Sequence, residues 1–271
     1  MSAIEERFPR PSVMGVVNVT PDSFSDGGVN FRLGDAIVSA RRMVEEGAAI
    51  VDIGGESTRP GADAVSPDEE LRRVVPVLEE LGGAVPVSID TAKAEVARRA
   101  IELGAELVND VTALRGDPGL AEVVASSGAY LCLMHMQGEP RTMQDSPTYE
   151  DVAAEVASFL EQRLAFAVDA GIAEERICLD PGFGFGKTVE QNFELLGRLG
   201  QIVALGRPVL VGLSRKRSLG RILGDPNATT GPLSASLAAA VEAYDRGAAI
   251  FRVHDVREHV EALTVAAAVP R

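Results

Sequence analysis

Residues 85–111 read VPVSIDTAKAEVARRAIELGAELVNDV and contain one complete strand–helix–strand unit. Short apolar runs predict strands at Val85–Ile89 and Glu106–Asn109, and apolar residues recur with helical spacing over Ala92–Leu103 between them. Gly104 follows the helix, at a position where a left-handed backbone is favoured. A helix that connects two neighbouring strands favours their parallel pairing, because a parallel crossover needs a long connection.

The same alternation continues along the chain in both directions. Further strands are predicted at Val13–Val19, Ala49–Gly54, Tyr130–Met134, Ile177–Leu179, Pro208–Leu213 and Ala249–Val253. Further helices are predicted at Asp35–Glu46, Asp68–Leu81, Gly119–Ser127, Glu150–Ala170, Val189–Leu199, Ser234–Arg246 and Arg257–Ala268. Eight repeats close a barrel, so the sequence predicts an α/β fold, a single-domain (β/α)8 TIM barrel.

The barrel is predicted to span residues 13–271, after an N-terminal extension at residues 1–12. Gly28–Gly34 and Glu139–Thr148 have the composition of surface loops. The connection after the seventh strand contains a short basic helical piece, an arrangement that recurs at phosphate sites in barrels.

Composition limits the functional classes. The chain has 271 residues, no Trp and a formal net charge of −14, which argues against a general nucleic-acid role. Cys132 and Cys178 lie within apolar runs and are expected to be buried, reduced thiols. No apolar leader and no segment of transmembrane length can be found, so we expect a cytoplasmic protein without membrane contact.

Polar residues interrupt the apolar runs where the predicted strands end. They are Asn18, Glu56–Arg59, Asp90, Asn109, His135, Asp180, Ser214–Lys216, Arg252 and His254. Each has a structural explanation of its own: Asp90 could cap a helix, and His254 could be an ordinary surface histidine. Because active sites of these barrels lie at the C-terminal ends of the strands, their coincidence predicts one shared site.

The residue types indicate the ligand. Asp90, Asp180 and the amide of Asn109 suit a flat ligand with several N–H donors on one edge, such as a pterin or a guanine. The positively charged or chargeable set, which suits a phosphate or diphosphate, is Arg59, Lys216, Arg252 and His254. A pterin or purine diphosphate has both features.

The glycine-rich stretch Asp180–Thr188 is similar to a nucleotide-binding loop. The Walker A pattern requires glycine at position 181, where this chain has Pro181, so we reject an NTPase. The glycines instead allow the backbone to approach a flat ligand, with Phe185 offering an apolar face, while Phe183 is expected in the core.

No transition-metal site is predicted, because His135, His254 and His259 lack ligand spacing. A Mg²⁺ ion bound mainly by diphosphate oxygens needs few protein ligands, and Asn18 is the candidate.

Eight motifs together resemble those of the dihydropteroate synthases. They are NVTPDSFSDGG (18–28), DIGGESTRPG (52–61), SIDT (88–91), NDV (109–111), LMHMQG (133–138), DPGFGFGK (180–187), SRK (214–216) and RVH (252–254). One motif alone is weak, but all eight in this order are specific, and they extend over nearly the whole chain.

The resemblance implies condensation of 6-hydroxymethyl-7,8-dihydropterin diphosphate with p-aminobenzoate, which releases pyrophosphate in the presence of Mg²⁺. Asp90, Asn109, Asp180 and Lys216 would hold the pterin, with Met134 lining its pocket. Arg59, Arg252 and His254, with Asn18 and Mg²⁺, would hold the diphosphate, and Asn18 would be the protein ligand of the metal. Asp22, Phe24, Thr58, Pro60 and Ser214 are the candidates for p-aminobenzoate. The family further implies a homodimer, for which Ser234–Arg246 and the last helix are candidate surfaces.

Two other functions remain open from the residues. A pterin-dependent barrel that transfers a methyl group to a corrinoid protein would share the acceptor residues but would not need the basic set. A non-catalytic pterin-binding paralogue should have lost residues of the diphosphate set or of the loops after the first two strands, and none is lost.

Overall fold

A computed structural model describes residues 2–20, 29–57, 62–139 and 141–270. The strands are β1 (Ser12–Asn18), β2 (Ile50–Gly54), β3 (Val87–Asp90), β4 (Ala105–Asp110), β5 (Tyr130–Met134), β6 (Ile177–Asp180), β7 (Leu210–Val211) and β8 (Ile250–Val253). They form one parallel sheet in the order β6-β5-β4-β3-β2-β1-β8-β7. A parallel bridge between Leu179 and Val209 connects the two outer strands and closes the barrel.

Helices alternate with the strands and cover the outside of the barrel. They are α1 (Ile4–Arg7), α2 (Val29–Glu45), α3 (Pro67–Leu81), α4 (Ala94–Glu102), α5 (Leu120–Ser127), α6 (Val152–Asp169), α7 (Val189–Gly197), α8 (Gly200–Val203), α9 (Arg217–Ile222), α10 (Leu233–Asp245) and α11 (Val256–Ala268). The predicted (β/α)8 barrel is therefore confirmed. No helix among the described residues combines the length and apolarity needed to cross a membrane.

The unit at residues 85–111 folds as its pattern predicts. Strands β3 and β4 pair in parallel around α4, with Asp90 opposite Asn109. Gly104 has a φ of +101°, which allows the chain to leave the helix and enter β4 within two residues.

The predicted loop at Gly28–Gly34 is wrong for its described part, because α2 begins at Val29. The glycines and Asn30 of the segment indicate a loop by composition. Val29, Leu33 and Ile37 nevertheless recur every four residues, which is helical spacing, and Leu33 packs against the core. The apolar spacing, and not the composition, therefore agrees with the observed helix.

The N-terminal end of the barrel is covered by residues 2–11. Ile4 is fully buried and Phe8 is 2% exposed, and the Phe8 ring lies edge-on to Tyr130 with centroids 5.7 Å apart. Arg7 donates from Nε to the Glu106 carboxylate at 2.9 Å, and Arg10 donates to the Ala248 carbonyl at 2.9 Å. The segment thus closes the barrel at the end opposite the predicted site.

Cys132 and Cys178 are free and buried, as expected, and face each other in the register of β5 and β6. They belong to the same apolar cluster as Phe8 and Tyr130, at the N-terminal end of the barrel.

Candidate active site

Parallel strands bring their C-terminal ends to one rim, and strand register brings the polar residues there together. Asn18 lies opposite Gly54, Gly54 opposite Asp90, and Asp90 opposite Asn109. Asp180 ends β6 on the other side of the barrel. Residues that are far apart in sequence are therefore brought to one rim of the barrel.

Arg252, on β8, bridges two carboxylates at this rim. Its Nε donates to Asp52 Oδ2 at 2.6 Å, and its Nη2 donates to Asp90 Oδ2 at 2.8 Å. Asn109 Nδ2 donates to the same oxygen of Asp52 at 2.9 Å. The guanidinium and the amide are thus fixed in orientation by one buried acid.

Burial dominates the electrostatics of the two predicted pterin carboxylates. It raises the pKa of Asp90 to about 7; the Arg252 charge opposes the rise, while Asp52, Glu70 and Asp110 add to it. Burial likewise raises the pKa of Asp180 to about 6, against the Gly182 N–H, which donates to Asp180 Oδ1 at 2.7 Å. Such values near neutrality are typical of functional carboxylates.

Lys216 contributes a positive charge beyond the end of β7. Its Nζ lies 4.3 Å from the centroid of the Phe185 ring, a cation–π contact. Burial and the neighbouring Arg252 lower the pKa of Lys216 to about 8, although Asp180 and Asp90 favour its charged form. Phe185 also packs with Met134, so the ring and the thioether form an apolar face beside the charges.

Ser214 and His254 form a hydrogen-bonded pair at the ends of β7 and β8. The backbone N–H of His254 donates to Ser214 Oγ at 3.2 Å, and Ser214 Oγ lies 3.1 Å from His254 Nδ1. If the hydroxyl donates to Nδ1, the ring proton resides on Nε2, which is then a donor towards an anion. Burial and Arg252 lower the pKa of His254 to about 4, so the free site presents a neutral imidazole rather than a cation.

The glycine-rich loop after β6 does not point its lysine at a ligand. Lys187 is 2% exposed, and its Nζ donates back to the Gly182 and Phe185 carbonyls at 2.9 and 3.1 Å. Phe183 is buried in the core, as predicted. The inward lysine explains physically why the sequence likeness to a nucleotide-binding loop carries no function of that kind.

Sequence comparison identifies the family. The profile of the pterin-binding enzymes matches residues 14–254. The dihydropteroate synthase of Escherichia coli (strain K12) is 50% identical over 260 residues, covering 94% of this chain and 90% of the relative. That of Neisseria meningitidis serogroup B is 49% identical, covering 94% and 92%. The chain belongs to the dihydropteroate synthase family of pterin-binding enzymes.

Solved dihydropteroate synthases share the fold. A Xanthomonas albilineans dihydropteroate synthase with 4-aminobenzoic acid superimposes with a TM-score of 0.88 at 50% identity, covering 97% of this chain and 95% of that one. A Yersinia pestis dihydropteroate synthase, described with a sulfonamide drug complex, gives 0.88 at 48% identity and covers 96% and 94%. Another Xanthomonas albilineans structure contains 7,8-dihydropteroate.

Asp52 binds two of the predicted site residues but was not predicted to have a role, although it begins one of the eight motifs. It lies in the middle of the apolar strand β2 and is fully buried. The signal was present in the sequence, because a charged residue inside a buried strand is rare unless it is paired. Its partners, Arg252 and Asn109, could not be assigned without the barrel.

Several residues implied by the family resemblance lie outside the described part of the chain. They are Asp22, Phe24, Thr58, Arg59 and Pro60. Asn18 is half-buried at the end of β1, on the same rim as Asp90. The described residues therefore supply the pterin end of the predicted site and part of its diphosphate end.

Proposed function

We propose that this pocket binds 6-hydroxymethyl-7,8-dihydropterin diphosphate and p-aminobenzoate and converts them to 7,8-dihydropteroate and pyrophosphate, the reaction expected of a dihydropteroate synthase. The observation that carries the proposal is a network at the rim in which Arg252 donates to Asp90 and Asp52, and Asn109 also donates to Asp52. Asp180 is buried at the end of β6, near enough for the Arg252 charge to oppose the burial-driven rise of its pKa. Together these residues combine acceptors for a pterin edge with a cation for a phosphate at one rim.

Asp180 and Asn109 are assigned to the pterin ring. An ionised Asp180 accepts two N–H donors from the amidine-like edge, and Asp90, with a pKa near neutrality, can accept or donate. Lys216 Nζ lies over the Phe185 ring, and Phe185 packs against the cluster that contains Met134, so a flat ring could rest against this group of side chains.

Arg252 and His254 are assigned to the diphosphate, together with Arg59. Arg252 brings a permanent charge that Asp52 orients, and His254 brings a donor that Ser214 orients. Donors held in place before the reaction stabilise a leaving anion without reorganisation at the moment of bond cleavage.

Mg²⁺ is proposed as the metal of the diphosphate. Asn18 offers an amide oxygen at the rim, and no group of three or more His, Cys, Asp or Glu side chains within the described ranges is arranged for a metal. This donor set fits Mg²⁺, which commonly keeps its waters and binds through one protein ligand plus substrate phosphates. When bound there, Mg²⁺ would neutralise charge on the departing pyrophosphate.

The chemical step breaks the methylene C–O bond to diphosphate and forms a C–N bond to the arylamine. The bonding electrons leave with pyrophosphate, and the proton lost by the amine nitrogen passes to solvent water. The arylamine is neutral and nucleophilic at neutral pH, so the residues need to position the reactants rather than supply a strong base.

Ser214 is the described candidate for the p-aminobenzoate end, with Asp22, Phe24, Thr58 and Pro60 proposed from the family resemblance. Its hydroxyl is 3.1 Å from His254 Nδ1, so it lies beside a residue proposed for the diphosphate. By extension from the Yersinia pestis structure, we propose that the chain is a sulfonamide target.

A homodimer in the cytoplasm is proposed for the assembled enzyme. Helices α7, α9 and α10 border an apolar groove of about 370 Å³. At its edge Ile222 and Leu223 are exposed, Leu223 to 64%, and Leu233 is also exposed. Exposed apolar patches of this kind mark association surfaces, and sedimentation at twice the chain mass is the expected result.

The first experiment measures pyrophosphate release from the dihydropterin methyl diphosphate with Mg²⁺, with and without p-aminobenzoate. Release that depends on p-aminobenzoate and yields dihydropteroate is expected. Pterin binding without dependent release would instead favour the non-catalytic paralogue. Transfer of a methyl group to a corrinoid protein would favour the methyltransferase.

A further inference from the structure

Lys187 is a buried cation whose donors are all used within the protein. Its Nζ contacts the Gly182 carbonyl at 2.9 Å, the Phe185 carbonyl at 3.1 Å and His135 Nδ1 at 3.0 Å. An ammonium has three N–H donors, and three acceptors surround this one. The geometry fits a protonated Lys187 facing a neutral His135 that accepts at Nδ1.

These contacts connect the ends of two neighbouring strands directly behind Asp180. The backbone N–H of His135 donates to the Asp180 carbonyl at 2.9 Å, so β5 and β6 continue their pairing up to the loop. Lys187 then attaches the His135 ring to the loop that follows Asp180. One side chain therefore fixes the relative position of both strand ends.

Gly182 transmits this arrangement to the carboxylate. Its N–H donates to Asp180 Oδ1 at 2.7 Å, while its carbonyl accepts from Lys187. Gly182 has a φ of +68°, and a Cβ there would lie 1.9 Å from the His135 carbonyl oxygen, so no other residue fits. The same peptide segment is thus held by the ammonium and orients the acid.

The rest of the loop is held by other side chains. Gln144 Nε2 donates to the Gly184 carbonyl at 2.8 Å, and the Tyr149 hydroxyl donates to the Gly186 carbonyl at 2.7 Å. Neither side chain brings a charge. Gln144 is a neutral amide, and Tyr149 stays protonated because burial raises its pKa. Lys187 is distinguished from them by its positive charge close to Asp180.

Charged and titratable groups surround Asp180 from each neighbouring element. Lys216 from the β7 end, Arg252 from β8 and Lys187 from the glycine loop all act to lower its pKa against burial. His135 from β5 stays neutral, because burial, Lys187 and Arg115 lower its pKa to about 2. Lys187 is itself affected by burial, which lowers its pKa to about 7 although Asp180 favours its charged form.

We infer that Lys187 is a positioning residue for pterin recognition, whose ammonium fixes the glycine loop behind Asp180 and keeps that carboxylate ionised for the pterin. The inference rests on the proposed pterin site and assigns Lys187 no contact with substrate. It differs from a purely structural role because it predicts a change in the pH dependence of binding.

The sign of that change follows from the charge. Ionised Asp180 accepts the pterin N–H donors, so affinity is present above its pKa and is lost as pH falls through it. Removing the Lys187 charge raises the pKa of Asp180, and affinity is then lost at a higher pH. A nearby opposite charge shifts a carboxyl pKa by about 1 unit or more, which sets the expected size.

The test compares wild type, Lys187→Met and Lys187→Gln by calorimetric titration with 6-hydroxymethylpterin, a ligand without diphosphate, from about pH 5 to about pH 7.5, which spans the Asp180 value. Both variants should move the acid midpoint upward by about 1 pH unit. Gln can still donate to two carbonyls, so it should recover part of the high-pH affinity that Met loses while its midpoint stays shifted. Asp90 titrates in every protein, so the shift between variants, and not the midpoint itself, reports Asp180.

Arg10→Met is the matched control, because Arg10 also donates to a backbone carbonyl but lies at the opposite end of the barrel. It should lower the melting temperature without moving the midpoint. Unchanged midpoints in the Lys187 variants, or an equal shift in Arg10→Met, would overturn the inference. If Lys187→Met does not fold, Lys187→Gln alone decides. Absence of pterin binding by the wild type would instead refute the proposed function.

Discussion

The two ends of the barrel are built from the same eight strands but have opposite physical character. At the N-terminal end, Ile4 and Phe8 close an apolar cluster around Tyr130. At the C-terminal end, Arg252 and Lys216 lie among buried carboxylates whose pKa values are raised. Apolar burial at one end stabilises the fold, whereas charge burial at the other costs stability and is recovered when a ligand supplies the missing partners.

The largest expected effect is on stability, at the N-terminal end. Phe8→Ala removes a buried ring that contacts Tyr130 and should lower the free energy of unfolding by about 3–5 kcal/mol. The kinetic constants measured below the melting transition should stay unchanged. Chemical denaturation and steady-state kinetics measure the two quantities.

Phe166→Ala is the control for size and type, because Phe166 is 44% exposed and its loss should cost much less. A reduced turnover number in folded Phe8→Ala would contradict the separation of the two ends.

Lys216→Met should do the reverse of Phe8→Ala, because it should reduce activity and leave stability intact. Loss of a charge that is placed before the reaction should reduce kcat/KM by about 10²–10³-fold. Because burial already lowers the pKa of Lys216, the folded state disfavours this charge, and unfolding stability should be unchanged or higher.

Arg215→Met is the neighbouring control, since the Arg215 side chain is exposed and pairs with Asp255 instead of the pocket. Equal losses of activity in both variants would show that the Lys216 charge is not specific to the site.

Asp180→Asn should act mainly on pterin affinity. Each charged hydrogen bond that is lost should weaken binding by about 1.5–3 kcal/mol. Pyrophosphate binding should change less, because Arg252 and His254 are retained. Calorimetric titration with a pterin that lacks the diphosphate measures the first effect, and titration with pyrophosphate measures the second. Unchanged pterin affinity would remove Asp180 from the pterin site.

The smallest expected effect is on the pH dependence of folding stability, to which Asp90 and Asp151 should contribute with opposite signs. The pKa of Asp90 is raised in the folded state, so the folded state binds the extra proton and gains stability as pH falls through about 7 towards the unfolded value. Asp151 caps α6, and its pKa is lowered first by the hydrogen bond from Arg198 and then by the Ala154 N–H, so the stabilisation that it contributes is lost as pH falls.

Melting temperatures measured against pH for Asp90→Asn and Asp151→Asn test this difference. As the pH is lowered, the melting temperature of Asp90→Asn should fall relative to that of wild type, and the melting temperature of Asp151→Asn should rise relative to it. Parallel curves for the two variants would contradict the electrostatic contrast between the pocket and the surface.

Much of the fold could be predicted from local pattern. Tyr130–Met134 was predicted with its observed bounds, and the helix over Asp68–Leu81 differs from α3 by one residue. Composition was misleading at Val29–Gly34, where glycine and asparagine indicated a loop although Val29 and Leu33 have helical spacing and the segment belongs to α2. Local pattern also gave no account of residues 2–11, whose apolar residues are too few to show periodicity and become buried only against the completed barrel.

The residue types of the site could be predicted from the sequence, but the contacts between the side chains could not. Asp90, Asn109 and Asp180 could be placed at strand ends because polar residues interrupt apolar runs there. The pairing of Asp52 with Arg252 joins residues 200 positions apart, and the neutral state of His254 depends on burial. No local pattern contains either property.

The sequence by itself determined the eightfold strand–helix repeat, the rim to which the polar residues belong and, through eight motifs, the family. These follow from periodicity and order along the chain, which need no contact between distant residues. The sequence also placed Lys216 at this rim, but only the tertiary structure decided that Lys187, in a motif of similar appearance, turns into its own loop. The two lysines are chemically identical, and the carbonyl groups, aromatic rings and carboxylates that distinguish them are assembled only when the barrel closes.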